Sequence, residues 1–239
     1  MINPRYTSQA LRALIVAAAA LVVAVFAPLA TAQRSAVAGD TYVYRVYNGY
    51  SNEARGQIQT RVDQSDADRV TMSTSTDVRE LEQQHAAIYT KEGNGLRHTL
   101  VNHDRPVEYD FDPPYPAYVF PLDTGKSWSL RVTATNTVTG RRNSVRVDGE
   151  VLGSERINTP AGAFDTIKVS RRVYAGDTEG FLRETIIVET DWYAPALGRA
   201  VKTDTRSSWE DASRCSRTGC GFRGDWNIFE LMEVRLAKP

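Results

Sequence analysis

The sequence predicts an all-β protein, either an antiparallel β-sandwich or a partly open β-barrel of about ten to twelve strands. Three observations predict it. Apolar and polar residues alternate with a period of two through most of the chain, as in Tyr42, Tyr44, Val46 and in Val145, Val147, Val151. Pro and Gly sit between runs rich in Val, Ile, Thr and aromatics, above all in Thr159-Pro160-Ala161-Gly162-Ala163-Phe164-Asp165 and Asp191-Trp192-Tyr193-Ala194-Pro195-Ala196-Leu197-Gly198. Only the stretch from Val78 to Ala87 has a helix-like composition, and it lacks a clean apolar face.

Taken in order, the chain opens with a secretory leader. Arg5 and Arg12 form a basic start without acidic residues, Ala13 to Ala27 is apolar, and Ala30-x-Ala32 fits cleavage before Gln33. The apolar run is about 15 residues, shorter than the roughly 20 that cross a bilayer, so residues 1–32 are expected to be removed, leaving no integral membrane anchor. A lipoprotein needs a cysteine at that point and the first is Cys215, so lipidation is not expected. Residues 33–239 are expected to form a single all-β domain in the periplasm or outside the cell.

The strand runs continue with Trp128, Leu130, Val132 and Ala134, then Ile167, Val169 and Val173, then Ile186, Val188 and Trp192, each set expected to share a face. Gly93-Asn94-Gly95, Thr139-Gly140 and Gly176-Asp177 mark turns between runs. Pro160 and Gly162 suit a type I turn delivering Phe164 to the next strand. Pro195 ends a ladder that Gly198 re-opens as a strand running to about Trp209. Gly39-Asp40-Thr41-Tyr42, Gly125-Lys126-Ser127-Trp128 and Gly224-Asp225-Trp226 each open a strand after glycine. They either mark pseudo-repeat halves (38–124 and 125–239) or reflect a common way of starting a strand. Cys215 and Cys220 flank a short loop and, in an exported protein, read as a disulfide worth about 2 kcal/mol.

Charge excludes some partners. The chain has 29 basic and 29 acidic residues, and loss of the leader removes two arginines. So near-neutral a domain does not point to nucleic acid. Arg141-Arg142 and Arg171-Arg172 read as solvated turn and strand-edge charges. No G-x-S-x-G or S-x-x-K occurs, and no glycine-rich phosphate or dinucleotide fingerprint, so no catalytic residue and no cofactor is assigned. His85, His98 and His103 are the only histidines, and the odd separation of the last two puts them on opposite faces of a regular strand.

Two candidate sites remain. In Glu108-Tyr109-Asp110-Phe111-Asp112, alternation lines three carboxylates along one face, suitable for a hard cation or, as a pair, for glycoside hydrolysis. The same pattern also describes an ordinary strand with a solvated acidic face, and no metal is assigned. Tyr109, Phe111, Tyr115, Tyr118 and Phe120 cluster in a proline-bearing stretch expected to be a loop or strand edge. There they could stack on a sugar or cover an apolar ligand, or simply pack the core.

The combination of F-P-L-x-x-G-K-x-W (Phe120–Trp128), P-A-G-x-F-D-T (Pro160–Thr166) and W-Y-A-P-x-L-G (Trp192–Gly198), followed by the strand at Val201-Lys202, resembles a family of exported bacterial all-β proteins classed as a domain of unknown function. The resemblance covers roughly Val119 to Thr205. It implies an envelope-located β protein and no catalytic residues to carry over. A looser similarity runs to the half-barrels that carry lipids or lipoproteins across the periplasm.

These readings converge on a non-catalytic binder of a hydrophobic or envelope-derived ligand, such as a lipid or glycan. The alternative is a structural or protein-interaction module of the envelope, and a hydrolase is the third possibility.

Overall fold

The structure, a computed structural model, describes residues 33–81, 86–215 and 220–238. The expected leader and its cleavage point lie outside these residues, as do residues 82–85 within the helix-like stretch.

Twelve strands follow one another: β1 (Thr41–Asn48), β2 (Ala54–Ser65), β3 (Arg69–Thr76), β4 (Ala87–Thr90), β5 (Gly95–Asn102), β6 (Arg105–Tyr115), β7 (Ser127–Asn136), β8 (Arg142–Thr159), β9 (Gly162–Tyr174), β10 (Ile186–Ala194), β11 (Arg199–Glu210) and β12 (Gly221–Arg235). Each pairs antiparallel with its neighbours in sequence. Short 3-10 turns span Arg79–Leu81 and Ala212–Arg214. The expected antiparallel all-β fold is present. Of the two architectures the sequence allowed, it is the barrel, and that barrel is closed rather than partly open: β1 pairs with β12 from Thr41 opposite Arg235 to Asn48 opposite Asn227. Closure satisfies the backbone groups that an open seam would leave to water or to another chain.

Alternation sorts the side chains. On β2, Ile58 and Val62 are buried inside while Gln57, Gln59, Arg61 and Asp63 are exposed outside. On β8, Val145, Val147 and Val151 point inward and Ser144 and Glu150 outward. A polar exterior around an apolar interior is the reverse of a transmembrane barrel. Among the described residues no helix is long and apolar enough to cross a membrane.

Two buried clusters fill much of the interior. One gathers Tyr109, Phe111, Tyr115, Tyr118, Val145, Val147, Val169, Val173 and Tyr193 from β6 to β10; the other gathers Tyr42, Tyr44, Val46, Ile58, Val62, Val201 and Leu231 from β1, β2, β11 and β12. Burial of each such side chain contributes about 1.5–3 kcal/mol. Asp40, wholly buried, latches the chain's described ends onto the barrel. Its carboxylate accepts from the Arg34 guanidinium, from Val37 N at 2.9 Å and from Ala237 N at 2.8 Å. Burial alone would raise its pKa, but these donors hold it below the usual carboxylate range.

Ile186, Val188 and Trp192 share a face of β10 as expected, and it is the outer one, because Ile187, Glu189, Asp191 and Tyr193 point inward. Leu130 alternates in step with Val132 and Ala134 on β7 but is exposed. One expectation is corrected: Arg171 is not a solvated strand-edge charge but lies inside the barrel on β9 between Val169 and Val173, because the closed sheet turns that face of β9 inward. The expected disulfide, Cys215–Cys220, is present in the loop between β11 and β12.

Candidate functional site

The strands run up and down, so the loops gather at two ends. One end carries the turns at 66–68, 91–94, 116–126, 160–161 and 195–198, together with residues 33–40. The three motif segments, Phe120–Trp128, Pro160–Thr166 and Trp192–Gly198, therefore meet at this end although up to 78 residues separate them in sequence.

A cavity of about 300 Å³ enters the barrel here. Ala36, Lys91, Gly93 and Gly198 line its mouth, and Tyr44, Ile58, Val70, Met72, Tyr89 and Phe229 form its apolar walls. Its polar wall includes Tyr118, Asp191, Thr203, Arg199 and Thr60. At Gly198 the backbone is left-handed (φ 66°), and a Cβ would strike the carbonyl oxygen of Arg34, so glycine is required where the chain turns into β11.

Behind the polar wall lies a buried ionic network. Arg171 Nη2 donates to Asp191 at 2.8 Å and to Glu189 at 3.0 Å, and Arg171 Nη1 reaches the Ala117 carbonyl at 3.2 Å. Tyr118 Oη donates to Asp191 at 2.7 Å, Tyr115 Oη to Glu189 at 3.2 Å, and Thr203 Oγ1 to the second Asp191 oxygen at 2.7 Å. Every charge therefore has a partner, as buried charges require. Burial, reinforced by the carboxylate beside each, pushes the Tyr115 and Tyr118 phenols well up, so they remain protonated donors.

Arg199 differs. Its guanidinium stacks on Tyr42, 3.9 Å from the ring centroid, with Tyr44 at 5.5 Å. Its Nε and Nη1 are out of solvent and have no hydrogen-bond partner among the described residues, and neither does Thr60 Oγ1. Thr60 is the register partner of Tyr42, on whose ring Arg199 stacks, and Thr60 and Arg199 both line the cavity.

At the opposite end a second cavity, about 570 Å³, is lined by Asn102, His103, Arg105, Tyr109, Arg141, Asn143 and Asp177, among others. His103 Nε2 lies 2.8 Å from the Arg183 carbonyl and Nδ1 lies 3.4 Å from Asp177. Asp177 in turn accepts from Thr185 N and Oγ1 at 2.6 and 2.7 Å.

The sequence-derived candidates fall as follows. Tyr109, Phe111, Tyr115 and Tyr118 are buried core residues, not an exposed loop, and Phe120 is partly buried against Tyr118 and Tyr193. Alternation along β6 turns Tyr109 and Phe111 inward. Within the aromatic set only Tyr118 lines the first cavity, and Tyr109 the second. Glu108, Asp110 and Asp112 lie on the outer face of β6, where Asp110 forms a two-bonded pair with Arg97, its cross-strand neighbour (2.6 and 2.9 Å). Glu108, Asp110 and His103 do not converge. Among the described residues no three His, Cys, Asp or Glu side chains are grouped to hold a metal ion. Sequence reasoning missed Arg171, Glu189, Asp191 and Arg199. Charged residues two apart on a strand, as Glu189 and Asp191 are, were the available signal.

No family model matches this chain, and no curated protein matches it. Solved structures show distant likeness. A candidate lipoprotein of Parabacteroides distasonis is 14% identical, with TM-score 0.47, covering 84% of this chain and 97% of the other. An exported protein of Bacteroides fragilis with a YmcC-like fold is 15% identical, with TM-score 0.46, covering 85% and 98%. The hypothetical lipoprotein YmcC of Escherichia coli is 12% identical, with TM-score 0.42, covering 85% and 86%. Two of the three are named lipoproteins.

Proposed function

We propose that residues 33–239 are an exported, non-catalytic barrel that holds a small apolar molecule in the cavity beside the three motif loops. The observation that carries this reading is the cavity itself: about 300 Å³, its walls largely apolar and its mouth at one loop end, whereas the 570 Å³ cavity at the opposite end is lined mainly by polar and charged residues. Pockets for small ligands begin at about this volume, so a single chain or ring system fits better than a whole two-chain lipid. The competing role, a protein-interaction module, would be favoured by a free strand edge, and closure through β1 and β12 removes edges from the sheet. Native mass spectrometry of the protein purified without detergent, followed by organic extraction, tests the reading. A stoichiometric apolar adduct supports it; a clean apo mass that stays unchanged after exposure to envelope lipid extract refutes it.

A further inference from the structure

The cavity has a charge bias that its apolar walls conceal. Among the described residues Asp191 is the only acidic one in the lining, and both of its oxygens are committed, one to Thr203 and the other to Tyr118 and Arg171. The two cationic lining residues are Lys91 at the mouth, donating to Ser65 Oγ at 2.7 Å, and Arg199 inside. Arg199 keeps its charge at any physiological pH. The Tyr42 ring covers one face of its guanidinium, and no carboxylate among the described residues pairs with it. A guanidinium held in an apolar wall without a counter-charge favours an anionic head, and its charge-assisted bond to a carboxylate is about twice as strong as a neutral hydrogen bond.

Resting on the reading that the cavity takes an apolar molecule, we propose that the ligand is a single-chain amphiphile with a carboxylate head, and that Arg199 is the residue that reads it. The head lies against the part of the Arg199 guanidinium that lines the cavity. The tail lies along Ile58, Val70, Met72 and Phe229. Arg171, the other interior arginine, is no rival receptor, because Glu189 and Asp191 already neutralise it.

The test is isothermal titration of the wild-type protein with dodecanoate, dodecanol and dodecyl phosphate, repeated on Arg199→Met and Arg199→Lys, with far-ultraviolet circular dichroism to verify folding. Wild type is expected to bind dodecanoate at least about tenfold more tightly than dodecanol. Arg199→Met should lose that preference while still binding dodecanol, and Arg199→Lys should retain part of it as a single point charge. Equal wild-type affinity for the acid and the alcohol overturns the carboxylate assignment and leaves the apolar cavity standing. Stronger binding of dodecyl phosphate overturns it in favour of a phosphate head. Binding of none of the three overturns both this inference and the reading beneath it. The acid–alcohol comparison needs no variant, so a misfolded Arg199→Met leaves the test decisive.

Discussion

Replacing Arg171 by methionine should be among the most damaging single changes to the barrel. The side chain is only 5% exposed, and its loss strands two inward carboxylates, Glu189 (20% exposed) and Asp191 (7%), with hydroxyl donors alone. Breaking a buried ion pair by removing one partner costs about 3–5 kcal/mol. Partial solvent access at Glu189 favours the lower figure, about 3 kcal/mol, which for a chain of this length lowers Tm by about 6–12 °C. The loss should depend on pH. In the variant the folded state relieves its uncompensated charge by binding a proton that the unfolded state binds less readily. Stability is then regained as pH falls, and the gap to wild type should be narrower near about pH 5 than near about pH 7.5. Urea unfolding followed by tryptophan fluorescence at both values measures it. The triple variant Arg171→Met, Glu189→Gln, Asp191→Asn should recover much of the loss, since neutral groups need no counter-charge. A loss below about 1 kcal/mol, or one of the same size at both pH values, would refute the reasoning.

Further outcomes follow from other parts of the structure. His98 stacks on Phe111 (4.6 Å between centroids) and meets Tyr115 edge-on, and burial lowers its pKa. The unfolded chain therefore takes the proton first, so stability present above about pH 6.5 declines as pH falls, and urea unfolding of His98→Phe should show a flatter decline. Replacing Cys215 and Cys220 by serine, or reducing the bond, should lower unfolding free energy by about 2 kcal/mol and leave the far-ultraviolet spectrum unchanged; loss of the β signal would show the bridge to be essential to the fold. Met72→Trp places a larger ring in the cavity wall and should abolish uptake of an apolar fluorescent probe while the protein stays folded; undiminished uptake would place the ligand elsewhere.

Much of the fold was legible in local pattern. Tyr42, Tyr44 and Val46, and Val145, Val147 and Val151, point inward as alternation requires, because the opposite faces carry Thr41 and Arg45 and Arg146, Asp148 and Glu150, which favour solvent. The turn at Pro160–Ala161 and the break at Pro195 fall between strands for the same local reason: proline cannot extend a ladder. The candidate site was far less legible. On β10 both faces carry large apolar residues, Ile186, Val188 and Trp192 on one and Ile187 and Tyr193 on the other, so alternation could not say which one the barrel would bury. Arg171 looked like half of a surface pair until the register of β9 and β10 set it opposite Glu189.

What the sequence by itself determined is an antiparallel sheet, its turns, the cysteine bridge and the polar exterior, all of which depend on residues near one another in the chain. Closure, the inward face of β10 and the cavity were decided only by tertiary structure. Closure joins Thr41 to Arg235, and the cavity is walled by residues from Ala36 to Phe229, so each depends on pairings between distant segments. A period of two assigns side chains to faces, but only the assembled sheet decides which face is inside and how much of that inside is filled.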